Sequence, residues 1–353
     1  MFLASQHQYD LRLAPIAFRP GRVVGGLLAV LLTVGPGCHK SPTDPGGGGG
    51  GGSTPPAIVC PANIVVESSS SGVVVNYPPP TTSGGTPPLT TTCDVPSGSA
   101  LPVGTQKVTC TTRDTGGQSA SCSFTITVQP IPMLKASQFV AYGDSVTNGE
   151  TAPGQTPSYK NVDQAYPAVL QSLLRARYKA QTIVVFAVGI DGQTAEQGRQ
   201  LLASAIAQYH PDVLLLLEGV NDLNQGETPA HVAAYLADDV RIAKNAGVQT
   251  VFLSTILPQT PCPPTTTSPC RSSPESQQAI VDTNVLLRNV APVVGAVLVD
   301  NYAALAAAPT MYIGDDGLHP TEDGHHKIAE TFFESIKTNL EVPAAAVLLR
   351  VKR

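Results

Sequence analysis

Phe139-Val140-Ala141-Tyr142-Gly143-Asp144-Ser145-Val146-Thr147-Asn148-Gly149-Glu150 is the stretch from which the rest of the chain is read. A short apolar run stops at a glycine, and an acid and a serine follow at once. An apolar run closed by a turn residue reads as a buried strand. The turn after it presents Ser145 at the end of a sheet. Gly-Asp-Ser alone is a weak signal. Its place after a strand, and three further motifs downstream in a fixed order, make it strong.

From residue 137 the pattern alternates strands with helices. Strand-like runs are Phe139–Tyr142, Thr182–Val188, Val213–Leu217, Thr250–Ile256 and Ala296–Val299, and helical periods lie near 163–178, 195–209, 228–245, 275–290 and 321–339. In the first helix Pro167 suits the opening turn, and Val169, Leu170, Leu173 and Leu174 share a face. In the last, Thr321 fits an N-cap, and Ile328, Phe332, Phe333 and Ile336 fall on one stripe. Continuous apolar strands between helices predict a mostly parallel sheet covered on both faces. In such folds the site lies beyond the carboxyl ends of the strands. All the motifs sit there: Ser145 after the first strand, Gly189 in Ala187-Val188-Gly189-Ile190-Asp191-Gly192 after the second, Asn221 in Gly219-Val220-Asn221-Asp222 after the third, and Asp316 and His319 in Asp316-Gly317-Leu318-His319-Pro320 before the last helix.

With these four blocks in order, residues 137–340 resemble the SGNH (GDSL-type) hydrolases. The resemblance implies a three-layer α/β/α, flavodoxin-like fold and ester hydrolysis. It implies Ser145 as nucleophile, His319 as base and Asp316 as its orienter. The oxyanion donors it implies are the backbone N–H groups of Ser145 and Gly189 and the side chain of Asn221. Ala187 stands where the family often has asparagine, at a supporting position.

Elementary chemistry asks for the same residue types. A serine hydroxyl is a poor nucleophile until a base takes its proton. Imidazole, with an ordinary pKa of about 6.5, can do so at neutral pH. Asp316, three residues before His319, is spaced to accept the ring Nδ1–H while Nε2 faces Ser145. The oxyanion formed on attack needs preorganised donors. Taken singly, Ser145 reads as a turn serine, Asn221 as part of a helix-entry turn, and Asp316 with His319 as a cap or half a metal site. Asp315 is an alternative orienter. Asp144 and Asp222 are expected to make structural hydrogen bonds, and His325 and His326 to serve surface or packing roles rather than bind metal. No Gly-x-Ser-x-Gly elbow, phosphate loop, HExxH or dinucleotide fingerprint occurs. No cofactor and no metal are expected.

Ahead of this domain the character changes. Residues 1–37 carry three arginines, one aspartate and then the apolar run Val23–Val34, a basic and then apolar pattern of a secretory signal. The run falls short of the ~20 residues needed to span a bilayer. With Gly35-Pro36-Gly37-Cys38 it resembles a bacterial lipoprotein signal cut before Cys38, although Gly35 replaces the usual aliphatic residue; plain secretion is the rival. The resemblance implies lipidation of the Cys38 thiol. Residues 38–56 include seven consecutive glycines, Gly46 to Gly52, and read as a flexible tether. The chain has seven cysteines, so in an exported protein Cys38 leaves six for three bridges.

Residues 57–129 show period-2 alternation, with Phe124, Ile126 and Val128 against Ser123, Thr125 and Thr127, and predict a small all-β sandwich. Cys60-Pro61-Ala62-Asn63-Ile64, Cys93, Leu101-Pro102-Val103-Gly104-Thr105, Cys110, Asp114 and Cys122-Ser123-Phe124 resemble a hyalin repeat, an immunoglobulin-like module. Six cysteines alone permit fifteen pairings; the resemblance implies Cys60–Cys122 and Cys93–Cys110. This module reads as a spacer before it reads as a glycan-contacting or adhesive unit. Cys262 and Cys270 bracket a Pro/Thr-rich loop that a Cys262–Cys270 bridge would stiffen, as a wall of the substrate cleft or as protected surface. Residues 130–136 read as a linker and 341–353 as a tail without an assigned role.

The formal net charge of −5 excludes a basic footprint for nucleic acid. Removing residues 1–37 takes the chain to −7, so the only membrane attachment expected is the lipid anchor. The reading is an exported envelope-associated serine esterase acting through an acyl-enzyme. Its substrate is a short-chain or acetylated-glycan ester rather than a long-chain lipid. The alternatives are an acyltransferase, a polysaccharide deacetylase, and a non-catalytic surface-binding protein.

Overall fold

The computed structural model describes residues 54–68, 72–152, 159–264 and 269–342. The signal over 1–37, Cys38, nearly all of the tether and all but the first two residues of the tail lie outside the described residues.

The N-terminal module is all β. Strands Ile64–Ser68, Ser119–Pro130, Gly104–Arg113 and Thr90–Cys93 form one sheet in that order, parallel in the first pair and antiparallel in the rest. Gly72–Val75 pairs antiparallel with Ser99–Pro102. The alternation read from the sequence appears as burial of Phe124, Ile126 and Val128, which pack with Val75, Leu101 and Val108. So thin a core gains from cross-links. Disulfides join Cys60 to Cys122 and Cys93 to Cys110, the latter pair directly opposite across two strands.

The second domain is built on five parallel strands: β1 (Gln138–Gly143), β2 (Val184–Gly189), β3 (Val213–Leu217), β4 (Thr250–Ser254) and β5 (Val297–Val299). Their order is β2-β1-β3-β4-β5. Helices are α1 (Tyr166–Arg177), α2 (Ala195–Tyr209), α3 (Val220–Asn224), α4 (Pro229–Asn245), α5 (Pro274–Val293), α6 (Asn301–Ala306), α7 (Pro309–Tyr312) and α8 (Glu322–Leu340). Because strand side chains alternate, β1 feeds two cores. Phe139 and Ala141 pack with Leu170, Leu174, Ile328 and Phe332 of α1 and α8. Val140 and Tyr142 pack with Leu202, Leu236 and Ile280 of α2, α4 and α5. The result is the three-layer α/β/α arrangement, with the strand order of a flavodoxin-like fold.

The helix ends follow their local chemistry. Thr321 caps α8 through the Gly324 N–H (3.1 Å), with Glu322 and Asp323 in the first turn. Thr194 and Gln197 form a capping box on α2. The segment read as a linker is pinned on both sides. Ile131 N–H donates to the Ser68 carbonyl, Leu134 exchanges two hydrogen bonds with the Gln181 side chain, and Val342 N–H donates to Met133. The first tail residue, Glu341, takes a bidentate pair from Arg177 (2.8 and 2.9 Å) and a bond from Tyr178 Oη, so the domain closes slightly beyond residue 340.

Candidate active site

The turn after β1 is set by Asp144, whose Oδ1 accepts the Val146 N–H at 3.0 Å. It brings Ser145 Oγ to 2.9 Å from His319 Nε2. His319 Nδ1 lies 2.6 Å from Asp316 Oδ2. Asp316 Oδ1 accepts the backbone N–H groups of Leu318 and His319 (3.0 and 2.9 Å). The three side chains are almost fully buried, at 5%, 1% and 2% exposure for Ser145, His319 and Asp316, so their mutual bonds are weakly screened. Burial pushes the Asp316 carboxyl up, but bonding and charge from His319, with the two N–H donors, bring it below the ordinary carboxylate range. Asp315 is not the residue against the imidazole; Asp316 is.

Gly189 ends β2 opposite Gly143 and lies against the Ser145 turn. A Cβ there would sit 2.4 Å from Asn148 N and 2.6 Å from the Asp144 carbonyl oxygen, so the Ser145 turn can approach only a glycine. Asn221, in α3, donates from Nδ2 to the Gln193 carbonyl at 2.8 Å, which ties the block after β3 to the loop after β2. That loop turns over Ile190–Gln193, with Gln193 N–H donating to the Ile190 carbonyl and Gly192 at φ +73°, as a type II turn requires at its third residue. Among the described residues the backbone N–H groups of Ser145 and Gly192 have no hydrogen-bond partner. Gly192 is a candidate donor that the sequence reading passed over. Its signal was a second glycine three residues beyond the first in a strand-end loop.

Asp222 accepts the N–H groups of Ala195 and Glu196 (2.8 and 3.4 Å) at the start of α2, and with Asp144 it braces the loops as expected. His325 is buried in packing. Its Nδ1 accepts the Tyr166 N–H, its Nε2 donates to the Glu150 carbonyl (3.1 Å), and burial pushes it down to about 4. His326 is exposed and bonds Gln164. Beneath the site lies a group of acids that the sequence reading did not single out. Glu218 and Asp239 are buried, Glu218 Oε1 accepts from Gln193 Nε2 at 2.6 Å, and both Asp239 oxygens lack a partner. Burial pushes Asp144 up to about 6 and Asp239 up to about 8, and raises Glu218 strongly.

Cys262 and Cys270 are joined. The residues at and flanking this bridge pack on the turn that carries His319. Arg271 N–H donates to the Asp316 carbonyl (2.9 Å), Thr260 N–H donates to that of Gly317 (3.0 Å), and a Cβ on Gly317 would lie 3.0 Å from Cys262 Sγ. A cavity of about 660 Å³ opens beside Asn221 and Leu318, with Asn224, Gln225, Arg271 and Ser272 among its walls. Among the described residues no group of three or more His, Cys, Asp or Glu is placed to hold a metal ion, and no helix is long and apolar enough to cross a membrane.

Comparison with known proteins places two families on the chain. Residues 141–327 match the GDSL-like lipase/acylhydrolase family, and residues 52–128 match the HYR domain. A curated relative, an arylesterase from Vibrio mimicus, is 24% identical over 123 residues, covering 35% of this chain; the chain spans about half of that relative's length, 56%. Among solved structures, a lipase/acylhydrolase from Enterococcus faecalis is 21% identical, with TM-score 0.46, covering 58% of this chain and 97% of that one. A carbohydrate acetylesterase from Sinorhizobium meliloti is 16% identical, with TM-score 0.48, covering 57% and 99%.

Proposed function

The chain belongs to the GDSL-like lipase/acylhydrolase family, and on that premise we propose that it is an exported serine esterase working through an acyl-enzyme. The observation that carries the reading is the buried line Ser145 Oγ, His319 Nε2, His319 Nδ1, Asp316 Oδ2, with steps of 2.9 and 2.6 Å. Ser145 Oγ attacks the ester carbonyl while His319 Nε2 takes its proton. Asp316 holds the Nδ1–H and stabilises the imidazolium. The tetrahedral oxyanion is received by the N–H of Ser145, the Asn221 side chain and the loop after β2, through Gly189 or the more open Gly192. The imidazolium then protonates the leaving alkoxide, and the alcohol departs. Water attacks the acyl-Ser145, giving its proton to Nε2. Collapse of that intermediate returns the proton to Ser145 and releases the acid.

The polar walls of the cavity beside Asn221 favour a short acyl group on a hydroxylated alcohol, such as an acetylated glycan, over a long-chain lipid. The disulfides and the HYR module support an oxidising, extracytoplasmic setting; lipidation at Cys38 belongs to the same proposal. The test is turnover of p-nitrophenyl esters from acetate to palmitate and of acetylated xylan, by the wild type and by Ser145→Ala. The expected outcome is acetate preference, with loss on the order of 10⁶ in the variant. Hydrolysis equal in both proteins would end the reading.

A further inference from the structure

Glu218 is buried beneath the site, 3% exposed, and takes no part in the steps above. It follows Leu217, the last residue of β3, and stands three positions before Asn221. Its Oε1 accepts from Gln193 Nε2 at 2.6 Å. The same Nε2 lies 3.4 Å from the carbonyl of Gly143, the residue on which β1 ends before Asp144 and Ser145. The Gln193 backbone carbonyl in turn accepts from Asn221 Nδ2 at 2.8 Å. Gln193 thus meets the ends of β1 and β3 with its side chain and Asn221 with its main chain.

Room is left for this pair. A Cβ on Gly198, inside α2, would lie 2.6 Å from both carboxyl oxygens of Glu218 and 2.9 Å from Gln193 Nε2. Glycine is the weakest helix former after proline, and here it leaves the space that the pair fills. The groups that face Glu218 are acids or neutral. Asp144 after β1, Asp222 in α3 and Asp239 in α4 all act against its ionisation. Tyr142 Oη donates to the Gly198 carbonyl at 2.7 Å, and Arg199 engages Asp238 at 3.4 Å. Among the described residues no donor reaches Glu218 Oε2, so a negative charge there would stand uncompensated. Burial keeps the carboxyl protonated at neutral pH, and what Glu218 offers Gln193 is an acceptor rather than a charge.

An amide nitrogen carries two hydrogens. Asn221 gives one to Gln193 and keeps the other for the substrate, so the direction of the second depends on where the Gln193 carbonyl stands. We propose, resting on the esterase reading above, that Glu218 is a positioning residue: by holding the Gln193 side chain it fixes the Asn221 amide where the oxyanion forms. A misplacement of about 1 Å costs about 10²-fold in rate, and loss of an oxyanion donor about 10²–10³.

The experiment measures kcat and KM for p-nitrophenyl acetate, with a thermal melt of each protein. The proteins are wild type, Glu218→Gln, Glu218→Met, Gln193→Leu, Asn221→Ala, and Glu218→Met combined with Asn221→Ala. Glu218→Gln keeps an acceptor of the same shape and should stay within about threefold of wild type. Glu218→Met removes the acceptor at similar length and should lower kcat about 10- to 100-fold with KM nearly unchanged. Gln193→Leu cuts the same link from the other side and should match it, which keeps the question answerable if Glu218→Met does not fold. Asn221→Ala should lower kcat by about 10²–10³. Adding Glu218→Met to it should cost less than about threefold more, because a residue that acts through Asn221 then has nothing left to position. A merely structural Glu218 would lower both backgrounds alike. With Ser145-dependent hydrolysis present, three results overturn this proposal alone: a folded Glu218→Met or Gln193→Leu at wild-type kcat, Glu218→Gln as slow as Glu218→Met, or losses that multiply in the double variant. Absence of Ser145-dependent hydrolysis overturns the esterase reading and this one with it.

Discussion

Replacing Asp316 by asparagine tests the role of the buried acid more sharply than deletion would. Asp316 Oδ1 already accepts two buried N–H groups, at 3.0 and 2.9 Å, and Oδ2 faces His319 Nδ1 at 2.6 Å. In Asp316→Asn the amide oxygen must keep the first position, because turning the NH₂ there would leave two buried donors unsatisfied, at about 1–3 kcal/mol each. The NH₂ therefore faces Nδ1, the ring proton moves to Nε2, and His319 can no longer accept the proton of Ser145. The productive arrangement lies about 2–6 kcal/mol higher, which is about 30-fold to 10⁴-fold in rate at 1.4 kcal/mol per decade. Lost stabilisation of the imidazolium pushes the result toward the ~10⁴ seen when the same substitution is made in a serine protease triad. The assay is kcat and KM for p-nitrophenyl acetate near neutral pH, beside a thermal melt. The expected result is a loss of 10³-fold or more in kcat with KM nearly unchanged and folding retained. A folded variant within tenfold of the wild type would refute the reasoning.

Three further outcomes are expected. Gly189→Ala places a methyl 2.4 Å from Asn148 N; it should cost about 1–3 kcal/mol in chemical denaturation and lower kcat more than it raises KM, and wild-type stability would contradict that close approach. Burial raises Asp239 to about 8, so between about pH 4 and 8 the native state keeps a proton that the unfolded chain has lost, and stability falls as pH rises. The Tm of Asp239→Asn relative to wild type should therefore climb from pH 5 to pH 8.5; a constant difference would refute it. Replacing Cys262 and Cys270 by serine removes a bridge of sequence separation 8, worth about 2–3 kcal/mol, and loosens the Asp316–Gly317 turn. The double variant should lose stability and shift KM or acyl-chain preference, and unchanged values of both would sink the cleft-wall role.

Much of the architecture was legible because each strand is a continuous apolar run and each long helix keeps a stripe. The Val213–Leu217 run and the helix at 195–209 have the same bounds in sequence and structure. Edges shifted where pairing decides: the run from Thr182 enters the ladder only at Val184, and that from Ala296 at Val297. Helix α3 was read only as a turn because five residues carry no period. The line of Ser145, His319 and Asp316 was legible through a motif closing the first strand and a block between α7 and α8, which the fold brings together. Glu218 closes an apolar run and Asp239 stands next to Asp238, and a sequence does not show which acids fold inward.

Covalent trapping tests the central claim most directly. The wild-type protein is treated with a fluorophosphonate, digested, and the adduct located by mass spectrometry. The account predicts one phosphonyl group on the Ser145 peptide, formed quickly in the wild type, far more slowly in His319→Ala, and absent in Ser145→Ala. Labelling that survives in Ser145→Ala, or a folded wild type that takes no label at all, would contradict it.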